Sequence, residues 1–528
     1  MTALGGGILF YAMANRETLN GAETPPVLEP VSPETFTVRL KGRRGLMEYV
    51  HPYPGDDKAE KLLRQHETSR TFRPITSNGV VRFDNNWVAS NDPIEDRHVE
   101  HYLSCNILSS TSAKGFNEID LELMDQSDSS SLKLFSVIDG HAGYATADVL
   151  AKDLHPRVIK SLQSLYAGHE VDAVDPMLMM RQLQRADYRS FLRKYFELEG
   201  APRRSSAQVN LAVPITSRGI SDALTSAFVG LDYDICSGPL RLIANTKIDV
   251  STKAGVKSIS EPATNGACAL TVMVDETWQE VYIANTGDSR AVAGYFVEPH
   301  TDSNGFHYHG GWRCEVLTED HTANGPKELQ RLQKDHPGEE DHLLSETGRV
   351  LGGLMPARAF GDSPYYKWTE EETEALEGNQ RTGKLKFIIL ATDGLWEHLK
   401  SEEAVGLVKT HLTHPQHSPV ERKKVQDDLL AQWKESADKY PGGRAKGEES
   451  KGNWIYQDKN AATHLIRNAF EACKWHPEAG KEVISAKPPI ARWMRDDVTC
   501  SVIFFGDKDG EILFPPSKAN ASDKETSV

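Results

Sequence analysis

LKLFSVIDGHAG, at residues 132–143, joins an apolar run to Asp139, Gly140 and His141, and a second stretch of the same design, KFIILATDGLW at residues 386–396, ends on Asp393 and Gly394. Residues 132–138 place apolar side chains at every other position, the period of a half-buried strand. An Asp that ends such a strand stands at the sheet edge. The Gly after it has no side chain, so the backbone there can approach an ion and offer its carbonyl as a second ligand. One Asp-Gly pair taken alone more often marks only a turn. Two of them after apolar strands, with the acidic pairs Glu95 and Asp96 in NDPIEDRH and Asp496 and Asp497 in MRDDVTCSVIFF, point instead to a metal centre. Hard divalent cations need oxygen ligands, so a hydrolase built on magnesium or manganese must gather carboxylates from several strand ends.

Outward from these stretches, further strands are expected at 80–89, 269–274, 281–284, 291–295 and 499–505, the second and third forming a hairpin around DETWQE. Helical patterns occupy 144–165, 176–198, 220–234, 326–334, 402–412 and 461–472. Strands grouped in hairpins, without strict alternation with helices, predict an α+β sandwich and not a doubly wound parallel sheet. The polar stretches 201–217, 235–264 and 416–452 read as surface insertions in one large domain spanning 46–506. Residues 1–45 read as an N-terminal leader and 507–528 as a disordered tail.

A net charge of -16 leaves no basic footprint for wrapping nucleic acid, whose affinity comes largely from Lys and Arg on phosphates. The six cysteines form no CxxC pair, which argues against zinc or a redox dithiol and for buried thiols in a reducing compartment. Residues 4–14 are apolar but shorter than the ~20 residues a membrane span needs. They read either as a frayed leader or as the remnant of a targeting or anchoring segment.

His141 lies two positions after Asp139, close enough to sit beside a metal without binding it. In two-metal hydrolysis the ions lower the pKa of a water that attacks phosphorus, while a general acid protonates the leaving oxygen. His141 is the candidate acid, against the ordinary expectation that a lone histidine is structural. Asp288 in ANTGDSRAV and Glu397 in DGLWEHL form a second acidic set suited to an additional, weaker metal, although each alone reads as a turn or helix-start acid.

The ordered series EDR, DGHAG, NTGDSR, LMPARAFGD, ATDGLW and RDDVT resembles the signature of the metal-dependent protein phosphatase (PPM) family. NDPIEDRH, LTEDHTANGPKELQRLQKDHP, RVLGGLMPARAFGD, KNAATHLIRNAF and RWMRDDVT resemble the pyruvate dehydrogenase phosphatase branch of that family. The resemblance implies a four-layer α-β-β-α sandwich holding two Mg2+ or Mn2+ ions, with an optional third. It implies that Asp139 bridges both ions, that the Gly140 carbonyl ligates one, and that Asp393 and Asp496 ligate the other. Glu95 and Asp96 then act mainly through waters, His141 is the general acid, and Asp288 with Glu397 forms the third site.

Two departures stand out. Where many members carry a phosphate-clamping arginine this chain has Asn91, a mark of the branch, so phosphate falls to the metals, Asn91 and another base, with Arg358 one candidate. The stretch from Asp362 to Ala391 lacks a segment resembling PPYLTAEPEV that the branch carries, through a lost strand or a skipped exon. By resemblance the substrate is a phosphoprotein, the pyruvate dehydrogenase complex, in the mitochondrion. The alternatives are a phosphatase with another substrate and a catalytically inactive relative that uses the sandwich for binding.

Overall fold

Phe387, Ile389 and Ala391 leave their strand on one side and Ile388 and Leu390 on the other, and both sets are buried. A strand buried on both faces has to be covered on both, and the computed structural model shows how. It describes residues 27–32, 35–42, 45–52, 55–104, 128–166, 215–245, 253–301, 307–308, 310–338, 340–363, 383–412, 420–421, 453–470, 480–488 and 490–512.

One antiparallel sheet runs in the order β13 (Gly311–Val316), β10 (Arg290–Val297), β15 (Lys384–Ala391), β18 (Val498–Gly506), β5 (Gly79–Val88) and β4 (Thr68–Thr71). The other runs β14 (Phe360–Gly361), β8 (Gly266–Asp275), β7 (Leu132–His141) and β6 (Arg97–Leu103), with β9 (Glu280–Thr286) also paired to β8. Phe83, Phe135, Val137, Leu270, Val272, Ile388, Leu390 and Ile503 fill the gap between the two sheets.

The outer face of the first sheet packs on α1 (Asp56–Arg64), α7 (Asp393–Trp396), α8 (Ser401–His411), α9 (Ala461–Phe470) and α10 (Gly480–Ser485). The outer face of the second packs on α2 (Ala145–Tyr166) and α3 (Ser217–Asn245), which bring Leu150, Leu154, Val158, Leu224 and Phe228 onto Leu134 and Ile138. Three apolar seams between four layers make the expected α-β-β-α sandwich.

Several sequence expectations are corrected. The strand at 132–138 is buried on both faces, because its polar Lys133 is hidden against Glu276 at 2.6 Å and Ser136 against Thr271 at 2.7 Å. The stretch 235–264, expected as a polar insertion, is largely helical: α3 continues to Asn245 and α4 (Lys253–Thr264) follows, burying Ile235, Ile259 and Ala263. The leader boundary at residue 45 falls within an antiparallel meander, β1 (Val27–Ser32), β2 (Thr35–Gly42) and β3 (Gly45–Pro52). The alternation of Phe36, Val38 and Leu40 with Thr37, Arg39 and Lys41 is a strand pattern.

Strands β4, β6, β13 and β14, absent from the sequence reading, complete the edges, while the short strands β11 (His300–Thr301), β12 (His307–Tyr308), β16 (Val420–Glu421) and β17 (Asn453–Trp454) and helix α6 (Glu340–Leu343) lie outside the two sheets. The expected helix at 176–198, nearly all of the insertions at 201–217 and 416–452, residues 364–382 of the shortened stretch, the apolar segment 4–14 and most of the tail lie outside the described residues. Among the described residues no helix is long and apolar enough to cross a membrane.

Candidate metal centre

Phe135 and Val137 of β7 point into the seam between the sheets, and Asp139 continues that face where the seam runs out. Asp393 opens α7 directly after β15, whose last residue, Ala391, pairs with Arg290 of β10 and Cys500 of β18. Asp288 sits in the turn between β9 and β10. Gly287 in that turn has φ +110°, and a Cβ there would lie 2.2 Å from the Cys268 sulfur, so only glycine allows the turn to close onto β8. One carboxylate oxygen from each of Asp139, Asp288 and Asp393 lies within 4.8 Å of the others.

The glycines of the two Asp-Gly pairs act through close approach. A Cβ on Gly140 would lie 2.3 Å from the Glu95 carbonyl oxygen, and one on Gly394 would lie 2.1 Å from that of Asp497. Each strand end thus docks directly on one of the acidic loops. The loop from Ser90 to Glu95 is gathered by Asp497, which accepts from the backbone N–H groups of Ser90 (2.5 Å), Asn91 (3.0 Å) and Glu95 (2.8 Å). The Ser90 hydroxyl at 3.1 Å and the Asn91 amide at 3.0 Å add to these. Burial pushes the Asp497 carboxyl up, but these donors outweigh it and hold it below the usual carboxylate range.

The remaining acids lean the other way. Burial, followed by repulsion from neighbouring carboxylates, pushes Asp96, Asp139 and Asp393 well above their ordinary range. Glu95 is pushed up to about 7 by burial and then by Asp497. Burial also raises Asp288 and Asp496, against the lowering effect of the Cys268 hydrogen bond on the first and of Arg492 on the second. Buried acids that repel one another need positive charge among them. The set is oxygen-only, because the Cys268 thiol, 3.2 Å from Asp288, is held protonated by burial and by that acid. Such donors fit Mg2+ or Mn2+ and not a thiophilic metal.

Other expected residues are placed as follows. Asp96 is buried and accepts from the Thr392 hydroxyl at 2.9 Å, one residue before Asp393. Asp496 stands outside the tightest triad: its oxygens face its neighbour's N–H at 2.7 Å and the guanidinium of Arg492, while its charge is felt by Asp139, Asp393 and Asp96. Asp288, expected as a ligand of the additional metal, lies instead within the central triad. Glu397 is exposed at the end of α7 and bears on Asp393 electrostatically. His141 places Nε2 2.5 Å from Asp362 Oδ2.

Two assignments meet obstacles. Asn91 turns its amide to Asp497 and, at 3.4 Å, to Glu95. Arg358 makes a forked pair with Glu328 of α5 (Pro326–Asp335), with contacts of 2.7 to 3.0 Å, and Arg331 binds the same carboxylate. The sequence reading missed Arg492, although it stands inside the quoted RWMRDDVT. Its signal was position alone, four residues before Asp496 on the turn of helix α11 (Ala491–Met494).

The protein phosphatase 2C family model matches residues 240–434. A protein phosphatase 2C homolog of Schizosaccharomyces pombe is 29% identical over 87% of this chain and 87% of its own. Residues 240–434 thus match the protein phosphatase 2C family, and the chain is similar to proteins of that name over most of its length. Proteins of that family are metal-dependent serine/threonine protein phosphatases.

Two further relatives carry a more specific name. The mitochondrial pyruvate dehydrogenase (acetyl-transferring) phosphatase 2 of Homo sapiens is 27% identical over 96% of this chain and 95% of its own. Phosphatase 1 of the same designation from Saccharomyces cerevisiae is 28% identical over 86% of this chain and 73% of its own. Among solved structures, the serine-threonine phosphatase 2C of Toxoplasma gondii covers 83% of this chain and 99% of its own at 14% identity, with a TM-score of 0.35.

Proposed function

We propose that this chain is a phosphatase 2C that removes phosphate from phosphoserine on the pyruvate dehydrogenase component of its complex, in the mitochondrion, using two Mg2+ or Mn2+ ions. The convergence of Asp139, Asp288 and Asp393 carries the catalytic part of this reading. The names and coverage of the human and yeast relatives support the substrate and the location.

Asp139, the Gly140 carbonyl, Asp393 and Asp496 are the proposed ligands, with Asp288 drawn in from the triad and Glu397 beside an optional third ion. Glu95 and Asp96 act from the second carboxylate loop, which Asp497 and Gly140 hold in place. When bound, the ions supply Lewis-acid polarisation of the phosphoryl group and ease deprotonation of the attacking water. His141 delivers a proton to the serine oxygen as it leaves.

Arg492 is the proposed phosphate-steadying cation in the position of advantage. It is 40% exposed in its side chain, rests on Asp496, and is felt by Asp393 and Glu95, so its guanidinium lies at the mouth of the acid cluster. Asn91 holds Glu95 and the loop, and Arg358 fastens α5.

The direct test is phosphate release from phosphorylated pyruvate dehydrogenase in Mg2+ or Mn2+. Asp139→Asn is expected to lower turnover by at least about 10³-fold, several kcal/mol of lost charge stabilisation. Comparable turnover by that variant sinks the catalytic assignment, and turnover of other phosphoproteins but not of the dehydrogenase sinks the substrate. Imaging a fusion that keeps the native start codon tests the location, and a cytosolic signal counts against it.

A further inference from the structure

Asp362, at the end of the RAFGD motif, is an acid that the phosphatase reading leaves without a role. It follows β14 with φ +45°, a backbone conformation that L-residues other than Asn and Asp rarely adopt. Its side chain is fully buried. Oδ2 lies 2.5 Å from His141 Nε2, whereas Oδ1 is buried with no hydrogen-bond partner among the described residues. Burying a carboxylate against one imidazole is costly for the fold, so stability alone does not explain it.

The surroundings are shaped to this pair. A Cβ on Gly266, at the start of β8, would lie 2.0 Å from His141 Nε2 and 2.1 Å from Asp362 Oδ2, so the strand leaves room for both by having none. The Asp362 N–H bonds the Asn265 carbonyl at 2.9 Å. The preceding Gly361, at φ +73°, bonds Asp232 of α3 at 2.8 Å, and Phe360 packs beside Phe228 of the same helix. The carboxylate is therefore fixed from the sheet and from the outer helix layer at once.

We propose that Asp362 is the positioning residue of His141, an inference that rests on the phosphatase reading above. By accepting the Nε2 hydrogen it fixes the ring's rotation and tautomer, and it makes Nδ1 the nitrogen that handles the transferred proton. In the reaction a water oxygen bonds to phosphorus and the bond from phosphorus to the serine oxygen breaks. The electron pair stays on the serine oxygen, which takes the Nδ1 proton, and the water's proton leaves to solvent. His141 is then neutral with its hydrogen on Nε2, the tautomer that Asp362 holds.

The test compares the full chain with Asp362→Asn, which tolerates the same left-handed backbone, on a phosphoserine peptide and on an aryl phosphate whose leaving oxygen needs little protonation. The expected loss of kcat is about 10²-fold on the peptide and about tenfold smaller on the aryl ester, with KM little changed. The same ratio is expected for His141→Ala. In metal-free protein labelled with 15N-histidine, the wild-type His141 signals should report hydrogen on Nε2, and Asp362→Asn should shift them toward a mixture. Equal losses on both substrates, or an unaltered tautomer, overturn the positioning role. Absence of phosphate release by the unaltered chain in Mg2+ or Mn2+ overturns the underlying phosphatase reading instead, so the two failures are distinguishable.

Discussion

Arg492 and Arg358 carry the same charge, but their partners give them different work. Arg492 leans on Asp496 at the edge of the acid cluster, whereas Arg358 is locked in a forked pair with the buried Glu328. Arg492→Ala is expected to raise KM for a phosphopeptide about tenfold, the loss of one charge-assisted contact to phosphate, with a smaller change in kcat. Arg358→Ala should leave KM near its starting value and cost about 2 kcal/mol of stability in a denaturation curve, because the buried Glu328 loses its forked partner and is left with the Arg331 pair. The reverse pattern would return the phosphate to Arg358. Motif position could not separate these two arginines, since what distinguishes them is a carboxylate 30 residues away in sequence.

At the scale of elements, the Asp-Gly pairs work as docking points. The sequence reading treated Gly140 and Gly394 as openings for an ion, and the structure shows a second use: each is the spot where a strand end touches the backbone of an acidic loop. Gly140→Ala and Gly394→Ala should each cost about 2–3 kcal/mol, because the obstructing atoms are main-chain oxygens with little freedom to move. Both should also weaken Mn2+ binding in calorimetric titration, since the loops carrying Glu95 and Asp496 must shift. Wild-type affinity in both variants would show that loop placement and metal binding are independent.

For the whole molecule, the acid cluster is expected to tie folding to both pH and metal. Without metal, the raised carboxyls keep protons to higher pH when folded than when unfolded, with Glu95 titrating only at about 7. The folded state therefore binds more protons than the unfolded state over that window, and this contribution to stability falls as pH rises. His321 acts in the opposite direction. Burial and then Arg358 lower its pKa to about 4, so its contribution is present above the unfolded value and is lost as pH falls toward 4.

Taking the difference between metal-loaded and metal-free protein at each pH largely removes the His321 contribution. The rise in Tm on adding excess Mg2+ should then grow from about pH 5 to about pH 8, because the ligands must be deprotonated to bind. Asp139→Asn should flatten that dependence. A rise in Tm that is independent of pH would separate the cluster from metal binding.

The sequence alone determined the alternation that builds each strand, the helices that cover them, and the acids at strand ends, because these depend on local period and on neighbours in the chain. It therefore delivered the sandwich and most of the acidic set. Only the tertiary structure decided that Asp288 belongs with Asp139 and Asp393, that Asp497 gathers a loop, that Arg358 is held by Glu328, and that Asp362 reaches His141. Those facts depend on which strand ends meet and which way each carboxylate turns, and such pairings, formed between residues far apart in the chain, leave no periodic trace in the sequence.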